Sequence, residues 1–475
     1  MAFTHGIYTS EQATSISAPI TSDAALTIVV GTAPIHTVAG DPAKVTNVPV
    51  MVNNYEGAVK AFGYSDDFKT WTICAAVDYF FRVRGVGPLV IINVYDGEYT
   101  EQEVEALTTE QVSGKATEGS VWVTLEDGTR LTEGTDYTVT YAEDNFTVTA
   151  KETVTGKKVT IHYHPAATVP SFTKEDIIGD VDEKGQASGI EVAAKVYPVL
   201  GKVGGILIAP CYSKEPEVSA ALLAKSHEMN GSWEVVSYIE LNSSAEGATT
   251  YTAVKEKKEA QGLTDTSQYA IWLWGMVGEK KYPPDVVAAA QTGYVDSQND
   301  DVPYNSPSNK ATPLTGACLE DGTPVYLDQE EANFVNECGV ATLLNRNGWR
   351  VWGNRTAAYP ASTDVKDVFL SVRRMMNWRR NNFVLTFFQK VDEPANYRLI
   401  ESIVDSYNQT GNYYVSQGYC AVDQIEFRTD ENPVTDILGG IIRFHSMFSP
   451  YPPAETIETT FEFDPDALAT ALSGE

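Results

Sequence analysis

GGIIRFHSMFSPYPPAETIETTFEFD, residues 439–464, opens with a strand-like run over 441–448 in which Ile442, Phe444 and Phe448 share one face. Pro450, Pro452 and Pro453 come next. Each fixes φ and lacks an amide hydrogen, so an extended, unpaired spacer is expected there. Residues 456–463 then alternate: Ile457, Thr459, Phe461 and Phe463 on one side, Thr456, Glu458, Thr460 and Glu462 on the other. A terminal strand with an apolar face and no hairpin partner has two uses. It folds back on its own domain, or it completes a sheet in another copy of the chain.

At 475 residues the chain exceeds what one core usually serves, and about three domains are expected. Its 43% hydrophobic, 11% aromatic and 21% charged residues are those of an ordinary globular protein. The longest apolar runs, around 86–94 and 269–277, are too short to span a bilayer, and the first ten residues lack the n- and h-regions of a secretory signal. Cys74, Cys211, Cys318, Cys338 and Cys420 are odd in number, scattered and without a CxxC pair. They read as reduced core thiols of a protein made in the cytoplasm.

The net charge of −30 argues against nucleic acid, whose phosphates demand a basic surface. The charge is uneven: residues 346–398 hold ten Lys/Arg against four Asp/Glu. A basic island in an acidic chain suits a protein partner of opposite sign.

Residues 1–25 are Thr-, Ser- and Ala-rich, an arm or a loose terminus. From 26 to 96 a buried strand (26–31), helices over 53–62 and 68–82, and a second apolar strand (89–94) predict a sheet covered on both faces. Residues 97–168 read as a small all-β insertion. Short alternating strands near 121–125, 137–141, 146–150 and 159–163 are separated by Asp127-Gly128, Asp144-Asn145 and Thr155-Gly156 turns. The α/β texture resumes over 169–345, with helices expected at 187–197, 217–230, 249–261 and 330–338. Its strands are expected at 205–209, 233–239, 269–274 and 340–344. Residues 346–449 are α+β in character, with a strand at 349–352, helices at 364–381 and 395–409, and strands at 419–427 and 441–448. Residues 450–475 form the linker and last strand.

No catalytic constellation emerges. There is no Walker A loop and no GxSxG elbow. His162 and His164 share a strand face without a third ligand and read as two exposed histidines rather than a metal site. No metal and no cofactor is expected. On the helix at 364–381, Val365, Val368, Phe369, Val372, Met375 and Met376 form an apolar stripe. Arg373, Asn377 and Arg380 line another face, with Arg374 and Arg379 nearby. Cations at a helix C-terminus complement its dipole, which accounts for one or two of them; four on one helix suggest a charged partner.

Several stretches together resemble the contractile tail sheath proteins of bacteriophages and of related bacteriocins and injection machines. They are HGIYTSEQATSISAPITSDAALTIVVGTAPI (5–35), GYSDDFKTWTICAAVDYFFRVRGVGPLVIINVYD (63–96) and PPDVVAAAQTGYVDSQNDDVPYNSPSNK (283–310). LNRNGWRVWGNRTAA (344–358), the VRRMMNW helix and RTDENPVTDILGGIIRFHSMFSPYPPAETI (428–457) complete the series. No single motif decides it; their order and spacing carry the resemblance. The insertion at 97–165 matches least.

The resemblance implies a subtilisin-like, doubly covered α/β core without a working triad, an outward β-sandwich, and an α+β C-terminal domain facing an inner tube. It implies arms exchanged between subunits: Thr14, Ser15, Ile16, Ser17 and Ile20 in one, Ile457, Thr459, Phe461 and Phe463 in the other. Arg373, Arg374, Asn377, Arg379 and Arg380 would face the tube, and Pro450, Pro452 and Pro453 would form the linker hinge, holding the linker extended while its flanks bend. Partners would be further copies of the chain in hexameric rings, the tail tube, baseplate and tail terminator proteins, with no nucleic acid and no direct membrane insertion. Such a protein is made in the bacterial host cytoplasm and works in the virion or contractile particle. Two rivals from the residues alone are an α/β hydrolase with an acidic lid, which lacks a candidate trio, and a surface-layer or adhesin protein, which lacks a signal peptide.

Overall fold

A computed structural model describes residues 23–38, 42–97, 100–142, 144–165, 171–227 and 229–473. The apolar run TIVVG becomes β1 (Thr27–Gly31), buried at every position. It is followed by β2 (Val50–Val52) and by α1 (Tyr55–Phe62), whose N-cap Asn54 accepts a hydrogen bond from the Gly57 amide. α2 (Thr72–Val77) continues as a π-helical segment to Arg84 and leads to β3 (Leu89–Asn93), again wholly buried. Six strands follow: β4 (Thr100–Val104), β5 (Thr109–Ser113), β6 (Trp122–Leu125), β7 (Tyr137–Tyr141), β8 (Asn145–Ala150) and β9 (Val159–Tyr163). The chain then returns through α3 (Lys174–Ile178), α4 (Val196–Leu200), β10 (Ile206–Ile208), α5 (Pro216–Ser226), β11 (Val236–Glu240), α6 (Val254–Ala260) and β12 (Gln268–Ile271).

The main sheet runs β12-β11-β10-β1-β3-β2. Its first five strands are mutually parallel, and β2 is antiparallel to β3. Strands buried on both faces need cover on both. α2 packs on β1, and α7 (Pro284–Ser297) on β10, β11 and β12. A 3-10 segment, Gly189–Lys195, lies against β1 and β3, and α5 against β10 and β11. The sheet is therefore doubly covered in a mixed α/β chain, and the six strands β4–β9 sit between two of its members. They form two antiparallel sheets, β4-β9-β6 and β5-β8-β7, closed over their own core of Leu107, Val121, Val123, Phe146, Val148 and Ile161. β4 and β5 carry exposed Glu and Gln over most of their length, which hides their alternation from a reading by apolar period.

Several expectations need correction. The strand expected at 269–274 breaks at Leu273, whose φ of 82° turns the chain out of the parallel sheet. Trp272 and Trp274 are anchored by Nε1 bonds to the Ala248 carbonyl and to Glu240, 2.8 and 2.7 Å. Beyond the break, β13 (Trp274–Val277), β14 (Lys280–Tyr282) and β15 (Gly316–Cys318) form a separate antiparallel sheet. α8 (Gln329–Glu337), opened by an Asp328/Glu331 capping box, precedes the hairpin of β16 (Thr342–Asn345) and β17 (Trp349–Trp352).

The helix expected at 364–381 is two: α9 (Val365–Val368) and α10 (Leu370–Phe387). Segment 354–356 draws residue 369 out of helical geometry. The Thr356 amide donates to the Val368 carbonyl and the Leu370 amide to the Asn354 carbonyl, both 2.8 Å. The rest of the C-terminal region is α11 (Tyr397–Ser416), β18 (Cys420–Glu426), α12 (Val434–Leu438), β19 (His445–Pro450) and α13 (Pro465–Ser473). α11 lies so close to β18 that a Cβ on Gly411 would stand 2.0 Å from the Asp423 carbonyl oxygen.

Candidate functional site

α10 is held between the α/β core and the α11/β18/β19 layer, and this sandwiching decides what its cations do. Arg374 is buried and forks onto the Asp296 carboxylate at the end of α7, while Nη2 also donates to the Ala24 carbonyl at 3.0 Å. Burial opposes the guanidinium charge most strongly of any single cause, but the Asp296 carboxylate and the nearby Tyr238 together outweigh it and keep Arg374 ionised. Arg379 points the other way. Its Nε meets buried Asp423 of β18 at 2.7 Å, and its plane lies 3.8 Å over the Tyr407 ring. Asn381 makes a two-way bond with the Glu234 backbone, accepting from the amide at 3.0 Å and donating to the carbonyl at 2.9 Å.

The face expected to present Arg373, Asn377 and Arg380, with Arg374 and Arg379 nearby, is only partly open in the subunit. Arg374, Asn377 and Arg379 are interior, because both sides of α10 are occupied and each long cation finds a buried carboxylate. Arg373 turns back to Asp367 and is mostly covered. Arg380 reaches Glu234 at 3.1 Å with its side chain 55% exposed, and is the member of the set that faces solvent. Val365, expected in the apolar stripe, is also exposed.

In the tail, β19 pairs antiparallel with β18 in the register Glu426↔His445 to Cys420↔Pro450, with an irregularity between Cys420 and Val422. Pro450 thus ends a paired strand rather than beginning the unpaired spacer. A residue without an N–H is tolerated at that position because the ladder stops there. Ile442 and Phe444, expected in the same strand, instead pack beside Phe387, Leu399, Ile403 and Ile425. Beyond Tyr451 the chain crosses a groove of about 870 Å³ lined by Tyr304, Asn309, Trp352, Arg355 and Tyr359. Ile457, Phe461 and Phe463 are 87%, 91% and 76% exposed, and residues 456–463 pair with no strand among the described residues. Thr14, Ser15, Ile16, Ser17 and Ile20 lie outside the described residues. α13 follows the tail with exposed Leu468 and Leu472, and Asp464 accepts bonds from its first amides.

A buried polar cluster escaped the sequence reading. At the carboxyl edge of the parallel strands, Ser213 Oγ accepts from the Glu240 amide at 3.0 Å and donates to Asp285 at 3.2 Å. Glu240 Oε1 accepts from Trp274 at 2.7 Å, while Lys214 pairs with Glu320 at 2.6 Å. Burial pushes Glu240 up to about 8 and Asp285 up to about 7. These residues are tens of positions apart and form no motif. Ser213, Glu240 and Asp285 are fully buried, so a substrate could not reach them, and burial pushes the neighbouring Cys211 thiol well above its ordinary range.

The histidine expectation also changes. His162 stacks on Trp122 at 5.0 Å and meets Glu101 at 3.1 Å and Thr124 at 2.9 Å, while His164 is wholly buried. Neither is an exposed strand histidine, because the insertion's aromatic residues and the core edge at His36 cover them. Among the described residues no three His, Cys, Asp or Glu side chains are placed to hold a metal ion, and no helix is long and apolar enough to cross a membrane.

No family model matches the chain. It is 26% identical to the tail sheath protein of Burkholderia phage BcepMu, over 99% of both chains. It is also 26% identical to the tail sheath protein of Escherichia phage P2, across 60% of this chain and 69% of that one. Its fold matches a subunit in the contracted-state sheath complex of PVC, an extracellular contractile injection system. The TM-score is 0.60 at 13% identity, covering 98% of this chain and 99% of the other.

Proposed function

We propose that this chain is a tail sheath subunit, a structural protein and not an enzyme, working in a phage tail or a related contractile particle. The observation that carries the reading is the end-to-end similarity to a phage tail sheath protein. The exposed apolar tail agrees with it: Ile457, Phe461 and Phe463 stand in water on one subunit and gain cover only from another surface. Subunits form hexameric rings stacked helically around an inner tube, between a baseplate and a terminator. The core layer is subtilisin-like in its winding.

In this reading residues 456–463 add a strand to a neighbouring copy, and Thr14 to Ile20 supply a second exchanged strand. The tube-facing role falls to Arg380, since the other members of that set are engaged inside the subunit. The extended assembly is metastable. Interfaces gained on contraction supply the free energy, with no nucleotide hydrolysed. The test is negative-stain electron microscopy of the purified chain, alone and co-expressed with its tube protein. Striated hollow cylinders or stacking rings are expected, and monomers under both conditions would overturn the reading.

A further inference from the structure

We infer that Arg355 is the anchor that ties the C-terminal linker to its own subunit, so that the tail pivots at Thr456 and not at the prolines. The inference concerns a regulatory contact within the proposed strand-exchanging tail and rests on that reading for its use, though not for its geometry.

Arg355 Nε donates to Glu455 Oε1 at 2.9 Å, and Nη2 donates to Oε2, a fork on both carboxylate oxygens. The guanidinium lies 3.9 Å from the Tyr359 ring centre, with the Phe369 ring at 5.3 Å. Its platform is itself held. Lys258 Nζ donates to the carbonyls of Cys338, Ala357 and Tyr359 at 2.7–2.8 Å. The backbone around Arg355 is bridged to residues 368–370. A rigid cation thus meets the linker's acid.

The linker is consequently fixed at two points, Pro450 in the ladder with Cys420 and Glu455 on Arg355, and it straps across the groove between them. Pro452 and Pro453 lie inside the strap and stiffen it. From Thr456 to Phe463 no hydrogen bond to the body occurs among the described residues. The direction in which the tail leaves the subunit is therefore set by the clasp. Glu455 is part-exposed, so the clasp is open to salt and to a competing charge, which makes it releasable.

The test places unnatural-amino-acid spin labels at Glu330 on α8 and at Ala454 in the strap, on the body side of the pivot. Labelled chain is diluted into unlabelled chain so that distances within one subunit dominate. The intact protein is expected to give one narrow distance peak that is lost in Arg355→Ala and in Glu455→Ala and partly kept in Arg355→Lys. Raised salt should broaden it as well. Glu455→Ala alters only a tail side chain, so a folding defect of the Arg355 variant leaves the test intact. An unchanged peak in Glu455→Ala, or an intact protein already broad, would overturn the proposal. Sedimentation of polymer, read separately, reports on the sheath function: absent polymer with a narrow peak rejects the sheath reading and keeps the clasp.

Discussion

Arg374 and Asp296, 78 positions apart, form a wholly buried ion pair where α10 meets the end of α7. Removing one partner leaves the other charge in the interior without compensation, the costly way to break such a pair. Arg374→Ala is expected to lower stability by about 3–5 kcal/mol in urea unfolding. Arg374→Met combined with Asp296→Leu should recover most of that loss. A small effect of Arg374→Ala would mean that water reaches the pair.

Arg380 offers the contrast. Its own side chain is 55% exposed but its partner Glu234 is buried at 7%, so Arg380→Ala should cost about 1–2 kcal/mol, well below Arg374→Ala. Arg380→Glu should impair assembly on a tube more than polymerisation without one, as counted in micrographs of both preparations. Equal impairment would assign Arg380 to contacts within or between sheath subunits.

Glu240 sets a pH dependence. Burial raises its pKa from 4.5 to about 8, so the folded state holds the proton more tightly than the unfolded chain does. Its stabilising contribution is complete below about pH 4.5 and is lost as pH rises through about 8, at ~1.4 kcal/mol per unit at the steepest. Asp285, raised to about 7, adds in the same direction. Glu240→Gln should flatten the fall in stability between pH 5 and 8, measured by denaturant midpoints across that range. An unaltered slope would place the titration elsewhere.

Lys258 satisfies three backbone carbonyls from two segments that come together only in the fold. Lys258→Met keeps the stem and removes the donors. A loss on the order of 3 kcal/mol in chemical unfolding is expected, since the three acceptors would be only partly rehydrated.

Removing residues 456–475 deletes the exposed tail and α13 while leaving the clasp and all four buried clusters intact. The truncated chain should keep the parent's melting temperature and circular dichroism and fail to sediment as polymer. Normal polymer from it would reject strand exchange by this segment.

Much of the architecture was legible along the chain. TIVVG, LVIIN and ILI are continuous apolar runs that become parallel strands buried on both sides, and the Asp/Gly turns after residue 97 mark several strands of the small sandwich. Burial on both faces needs no distant information to be visible, because it acts on each side chain separately. The break at Phe369 was not legible, since its cause is a backbone pairing with residues 354–356.

The alternating tail shows where the division lies. Its period-2 pattern is written in the residues, and so is the resemblance to tail sheath proteins, which the comparison over nearly the whole of both chains supports. Whether the pattern is paired or bare, and where the linker is tied, followed only from the tertiary structure. The arginines divide in the same way: sequence supplied the basic island, and the fold turned Arg374 and Arg379 inward. Side-chain period is a local property, set by backbone geometry at neighbouring positions. A charge is satisfied by whatever the fold brings within about 3 Å, and for Arg374 and Arg355 the partners lie 78 and 100 positions away.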